Sequence, residues 1–191
     1  MNNKYYAGIG SRKTPSEILE KMKVIGYVLS KENFTLRSGG AEGADLAFES
    51  GSVLGRGKRE IYLPWRLFNE NRSPFCEPSS EAYELASKYH PRWSALSNGA
   101  KSLHARNMHQ ILGLDLRTPS MFVVCYCNGT GGTMQALRVA LDKKIPIINL
   151  ANTERYVTLL TAFVDIYSIT CGGKYEVSEN ISFLVESEPA K

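Results

Sequence analysis

Three short stretches concentrate the residues able to grip an anion: Gly8-Ile9-Gly10-Ser11-Arg12-Lys13, Ser38-Gly39-Gly40-Ala41-Glu42-Gly43-Ala44-Asp45, and Asn128-Gly129-Thr130-Gly131-Gly132-Thr133. Glycine lets a backbone N–H approach a ligand closely, and successive N–H groups in a turn make a concavity of positive potential. Ser11, Ser38, Thr130 and Thr133 add hydroxyl donors, and Arg12 adds a guanidinium that pairs with phosphate. Asp45 stands at the start of the segment after the second turn, where a carboxylate is stabilised in its ionised form and accepts hydrogen bonds from a ribose or a base. The chemistry these types share is retention of a phosphate. Neither standard fingerprint is present: Lys13 occupies the place of the third glycine of the dinucleotide motif, and no G-K-[ST] marks a P-loop.

Each turn needs a strand before it and a helix after it to bring its N–H groups together. Residues 4–9 form an apolar, aromatic run ending at Gly-Ile-Gly-Ser, as a buried strand does. Thr14-Pro15-Ser16-Glu17 predicts a capping box with Thr14 as N-cap, followed by Ile18, Met22, Ile25 and Leu29 at helical spacing. A strand over 34–37 enters the second turn, a short helix carries Ala44, Phe48 and Val53, and a third strand is predicted over 60–63. Residues 121–127 are a continuous apolar run, the expected central strand, which enters the third turn, a helix to Lys143 and a strand over 145–150. Alternating strands and helices imply an α/β fold: a Rossmann-like open, mostly parallel sheet with helices on both faces.

Between the halves, residues 64–100 read as an inserted, lid-like segment with one helix over 79–89, and a helix over 101–112 follows. That second helix places His104, Met108, Ile111 and Leu112 on one face and Arg106, Asn107 and Gln110 on a neighbouring polar stripe. The insertion holds Trp65, Asn69, Tyr89, His90 and Trp93; beside a nucleotide such residues stack on a base, although each taken singly reads as packing. A final helix over 152–166, with Tyr156, Leu159, Leu160 and Phe163 inward, and an edge strand over 181–185 complete one domain spanning 1–191.

The first two turns and the run from Val123 to Thr133 resemble the superfamily joining DNA processing protein A (DprA/Smf) with the LOG-type nucleotide phosphoribohydrolases. The second turn matches the S-G-x-A-x-G-[IA]-D form of the DprA side at Ser38, Gly39, Ala41, Gly43 and Asp45, with Glu42 where an Arg is usual. Gly132-Thr133-Met134-Gln135-Ala136 matches the LOG-type G-T-x-x-E with Ala136 at the acidic position, and Arg106-Asn107 stands where that family has Arg-Lys. The resemblance covers roughly residues 4–150 and implies a nucleotide site built from Gly10, Ser11, Arg12, Ser38, Gly39, Gly40, Asp45, Arg106, Asn107, Gly129, Thr130, Gly131, Gly132, Thr133 and Gln135. No winged-helix tail of the DprA type is evident.

Three functions fit these residues. The first is binding of a nucleotide or nucleotide-derived small molecule that is sensed or sequestered; by analogy, nucleotide-signal defence of a phage or its host is one setting. Ala136 favours it, because cleaving an N-glycosidic bond calls for a carboxylate. The second is a nucleotide N-glycosidase or ADP-ribose-type hydrolase in which Asp45, Glu42 or Glu49 has taken over the acid's role. The third is a DprA-like single-stranded DNA binder, for which the formal charge of +4 predicts few phosphate contacts. At 43% hydrophobic and 22% charged, the 191 residues exclude global disorder. No run approaches the length of a membrane span, which with the absence of a leader predicts a cytoplasmic protein, here expected to be a homo-oligomer. Cys76, Cys125, Cys127 and Cys171 do not form a disulfide framework, and His90, His104 and His109 lack metal-ligand spacing, so neither a metal nor another cofactor is expected.

Overall fold

The computed structural model describes residues 4–129 and 131–152. Thr130, Cys171, the expected helix beyond Asn152 and the expected edge strand over 181–185 lie outside them. The strands are β1 (Lys4–Gly10), β2 (Phe34–Ser38), β3 (Arg59–Ile61), β4 (Phe122–Tyr126) and β5 (Ile147–Asn149). They form one sheet in the order β3-β2-β1-β4-β5, parallel at every junction, with Tyr6 opposite both Leu36 and Phe122. The helices are α1 (Ser16–Lys31), α2 (Ala44–Leu54), α3 (Ser80–Lys88), α4 (Asn98–Leu112) and α5 (Gly131–Asp142). This is a Rossmann-like α/β architecture.

Alternation along the strands decides which helix packs where. Tyr6, Leu36, Phe122 and Val124 point to one face, where Ile18, Met22 and Ile25 of α1 and Phe48 of α2 cover them. Ala7, Ile9, Val123 and Cys125 point to the other, against Ala82 and Ala86 of α3, Met108 and Ile111 of α4, and Val139 and Ala140 of α5. Cys125 and Cys127 pack in this layer. Helices α1 and α2 lie unusually close: a Cβ on Gly51 would overlap the Lys23 carbonyl. Among the described residues no helix is long and apolar enough to cross a membrane.

Several boundaries differ from those read along the chain. Thr14 does not cap α1. Its hydroxyl donates to the Ser11 carbonyl at 2.7 Å, and Pro15 occupies the cap position without a side-chain hydrogen bond. The β1–α1 turn closes on itself instead, since Lys13 N–H also donates to Ser11 Oγ at 3.0 Å. Helix α4 begins at Asn98, one turn early, because Ser97 Oγ accepts from Ala100 N–H at 3.3 Å. β3 stops at Ile61, although Tyr62 N–H continues the ladder to the Ser38 carbonyl at 2.8 Å. Within residues 64–100, α3 contributes the fully buried Ala82 and Ala86 to the second layer, and Tyr89 Oη donates to Asp142 at 2.7 Å.

Candidate functional site

From β1 the chain crosses to β2 on one side, and β4 lies on β1's other side with α5 and β5 leading away. At such a reversal of strand order the loops diverge and leave a crevice beyond the carboxyl ends of the strands. A cleft of about 390 Å³ opens there. One wall is the β1–α1 turn, with Gly10, Ser11, Arg12 and Lys13; the opposite wall is the start of α5, with Gly131, Gly132, Thr133 and Ala136. Asp45 from α2 and Arg106, Asn107 and Gln110 from α4 line it as well, and Ala100 and Leu103 add apolar surface.

The deepest element is an ion pair. Arg106 Nη1 lies 3.2 Å from Asp45 Oδ2, with Arg106 6% and Asp45 3% exposed. Asp45 reaches this position because α2 starts directly after the Gly43 turn, and Ala41 N–H donates to the same oxygen at 3.4 Å. Burial pushes the Asp45 carboxyl above its ordinary range, while the Arg106 charge and the N–H groups of Ala41 and Gly10 pull it back. Burial likewise lowers Arg106, against the stabilising carboxylate, and the neighbouring Arg12 charge lowers it further. Among the described residues two donors in this region find no hydrogen-bond partner: Arg106 Nε and Gln110 Nε2, the latter on a residue 1% exposed. Buried donors left open point to a ligand that accepts.

The second glycine turn has a different role from the other two. Ser38 Oγ donates to the Gly8 carbonyl at 2.7 Å, tying β2 to β1 rather than facing the cleft. Gly39 supports the Arg106 guanidinium: a Cβ there would overlap Nη1. Gly40 adopts φ +63° against Leu63, and its carbonyl accepts from Asn69 Nδ2 at 3.0 Å. Gly129 (φ +91°) and Gly131 (φ +81°) stand in open space, where the backbone of the third turn is accessible. Gln135 lies behind the wall and links three helices: its Nε2 donates to the Ala86 carbonyl at 3.1 Å, and its Oε1 accepts from Asn107 Nδ2 at 3.3 Å. Asn107 Nδ2 also contacts the Gly132 carbonyl at 3.2 Å.

The sequence did not mark His104 and Gln110 as site residues, yet both line the cleft. Their position on α4, one turn either side of Asn107, was the available signal. Trp65, Asn69, Tyr89, His90 and Trp93 are not on the cleft wall. Trp65 packs edge-on against Phe68, with ring centroids 5.1 Å apart, while His90 lies 4.7 Å from the ring of His104. Among the described residues no three His, Cys, Asp or Glu side chains gather in a way that could hold a metal. Among the described residues Asp45 is the one carboxylate on the wall and is met by Arg106, so Arg12 and Lys13 leave the opening positive. The arrangement can hold an anion at the rim and a hydrogen-bond acceptor at depth.

No protein-family model and no curated protein matches the chain. Among solved structures it is similar to DNA processing protein A from Helicobacter pylori, which binds single-stranded DNA, with 19% identity and a TM-score of 0.51 over 75% of this chain and 63% of that one. It is also similar to DprA from Streptococcus pneumoniae, with 16% identity and a TM-score of 0.48 over 76% of this chain and 49% of that one. A Moco carrier protein from Chlamydomonas rheinhardtii aligns with 16% identity and a TM-score of 0.47 over 85% of each chain. The chain thus spans from about half to under two thirds of the DprA chains it matches. The likeness to the Helicobacter protein shows a DprA-like Rossmann fold.

Proposed function

We propose that the cleft binds a nucleotide or nucleotide-derived small molecule, with its phosphate between the β1–α1 turn and the start of α5, and that the protein senses or sequesters this ligand without turning it over. The observation that carries this reading is the buried Arg106–Asp45 pair. It engages in an ion pair the one carboxylate that the described residues bring to the wall, while Ala136, at the LOG-type acid position, supplies no substitute. Water activation and stabilisation of an oxocarbenium ion both require a carboxylate free to act. Phosphate contacts from backbone N–H groups and Arg12 do not.

Mass spectrometry of small molecules extracted from the purified protein tests the reading directly. A nucleotide derivative released intact is the expected result; a free base with ribose phosphate would replace binding by hydrolysis. Calorimetry with AMP and adenosine locates the phosphate: Arg12→Ala and Arg106→Ala should each weaken AMP more than adenosine, since a charge-assisted contact is worth about 1.5–3 kcal/mol. Equal losses for both ligands would move the phosphate elsewhere. A thymidine oligonucleotide with steep salt dependence, binding more tightly than any mononucleotide, would favour a single-stranded nucleic acid as the occupant.

A further inference from the structure

His104 projects from α4 onto the cleft wall, half-buried, and its two ring nitrogens stand in different surroundings. Nδ1 lies 3.0 Å from Gln135 Oε1. The orientation of that amide is fixed from behind, because Gln135 Nε2 donates to the Ala86 carbonyl of α3 and Asn107 Nδ2 donates to Oε1. An amide oxygen only accepts, so the hydrogen between it and His104 belongs to Nδ1, and in the neutral ring Nε2 is then bare. Nε2 makes no hydrogen bond with any described residue. The adjacent Cε1 faces the start of α5, where a Cβ on Gly132 would stand 3.9 Å away. The rings of His90 and Trp93 pack against that of His104, with centroids 4.7 Å and 6.4 Å away.

We propose that His104 is a fixed hydrogen-bond acceptor of the cleft, its Nε2 lone pair receiving a proton-bearing group of the bound nucleotide, either a sugar hydroxyl or a base amine. The proposal rests on the nucleotide reading above and adds a second recognition chemistry to it. Arg12, Lys13, the open Arg106 and Gln110 donors and the turn N–H groups all suit an acceptor such as phosphate. A ligand carrying both a phosphate and a donor at the right separation satisfies the two sides together, whereas inorganic phosphate satisfies one. Burial disfavours the imidazolium most, and the Gln135 amide oxygen of α5 opposes that effect. The titratable groups acting on the ring, His90 from the segment after α3 and Arg106 of α4, both disfavour the imidazolium further, so that His104 stands below its ordinary range. The ring therefore keeps its lone pair at neutral pH.

Long-range proton–nitrogen NMR of the histidine-labelled full chain reads the tautomer without any ligand. A protonated Nδ1 and bare Nε2 at pH 7 are expected; an Nε2–H tautomer or an imidazolium overturns the proposal whether or not nucleotides bind. Binding is then followed with ADP-ribose, whose diphosphate bridge keeps its charge between pH 5 and 8. Affinity should fall as the pH drops through the His104 titration, whereas an imidazolium facing phosphate would strengthen binding; a flat or rising affinity overturns the proposal. His104→Phe keeps a ring against His90 and Trp93, His104→Gln places a carbonyl oxygen near the position of Nε2, and His104→Asn mimics Nδ1 only. The Phe and Asn variants should lose about 5- to 10-fold and the Gln variant about 2-fold or less, as one hydrogen bond requires; equal losses in all three would mean that the ring only packs. AMP against IMP, and AMP against 2′,3′-dideoxy-AMP, distinguish an amine from a hydroxyl donor. If neither AMP nor ADP-ribose binds at any pH, the nucleotide reading fails, a result separable from a wrong tautomer.

Discussion

Removing either partner of the Arg106–Asp45 pair should destabilise the protein, and the two removals should respond differently to pH. Unit charges 3.2 Å apart attract by about 5 kcal/mol at an effective dielectric near 20. Desolvation offsets much of that attraction in the intact pair, but a lone survivor keeps the desolvation cost and loses the attraction, typically about 3–5 kcal/mol. In Asp45→Ala the survivor is a guanidinium that does not lose its proton, and the only titrating partner is the raised Asp45 carboxyl of the wild type, so the deficit should not grow between pH 5 and pH 8. In Arg106→Ala the survivor is a carboxyl already raised by burial, and it loses the largest influence holding it down. Its folded pKa then stands still further above the unfolded value, so its stability cost is absent below the unfolded pKa, grows as the pH rises from there, and is complete above the folded pKa. The Arg106→Ala deficit should therefore be larger at pH 8 than at pH 5. Urea unfolding of wild type, both single variants and the double variant at the two pH values measures this, with the double variant expected to lose about 1–3 kcal/mol less than the sum of the singles. Single variants within about 1 kcal/mol of wild type, or strict additivity, would mean that the pair is hydrated and the argument from its burial is wrong.

Gly39→Ala would place a methyl where Arg106 Nη1 lies, so it should displace the guanidinium, lower the melting temperature and weaken AMP binding, as calorimetry can show. Wild-type protein incubated with a panel of nucleoside monophosphates and ADP-ribose should release no free base by chromatography; repeated turnover abolished by Asp45→Asn or Glu49→Gln would show that the catalytic acid has moved. Gly51→Ala would drive a methyl into the Lys23 backbone, which has no side chain to swing away, so a loss of about 1–3 kcal/mol in urea unfolding is expected with cleft binding intact.

The strand-to-helix turns were legible because each is a local event: an apolar run, glycines, then helical periodicity. Gly10 and Gly131 accordingly stand where the pattern put them, at the ends of β1 and at the start of α5. The part played by each glycine was less legible. Gly39 matches a binding motif, yet its missing Cβ accommodates Arg106, which lies 67 positions further along the chain and is brought near only by packing of α4. The capping box at Thr14 has suitable residue types, but the Ser11 carbonyl takes the hydroxyl first, a competition that spacing alone does not reveal. His104 looked like a member of an apolar face; its chemistry depends on Gln135 and, through it, on Ala86, three residues from three helices.

The central place of β1 also bears on how the molecule assembles. Tyr6 pairs with Leu36 across about 30 residues but with Phe122 across about 116, and the longer closure costs about 1.2 kcal/mol more in chain entropy. The β1–β4 seam therefore joins a locally connected half to a remote one, and the cleft lies along it, with the β1–α1 turn on one bank and α5 on the other. An occupant that touches both banks acts as a clip between the halves. At about a hundred times its dissociation constant it would add about 2.7 kcal/mol to the folded state, contributed across the most entropically expensive junction in the sheet. Amide exchange along β1 and β4 should slow with occupancy more than exchange between β2 and β3.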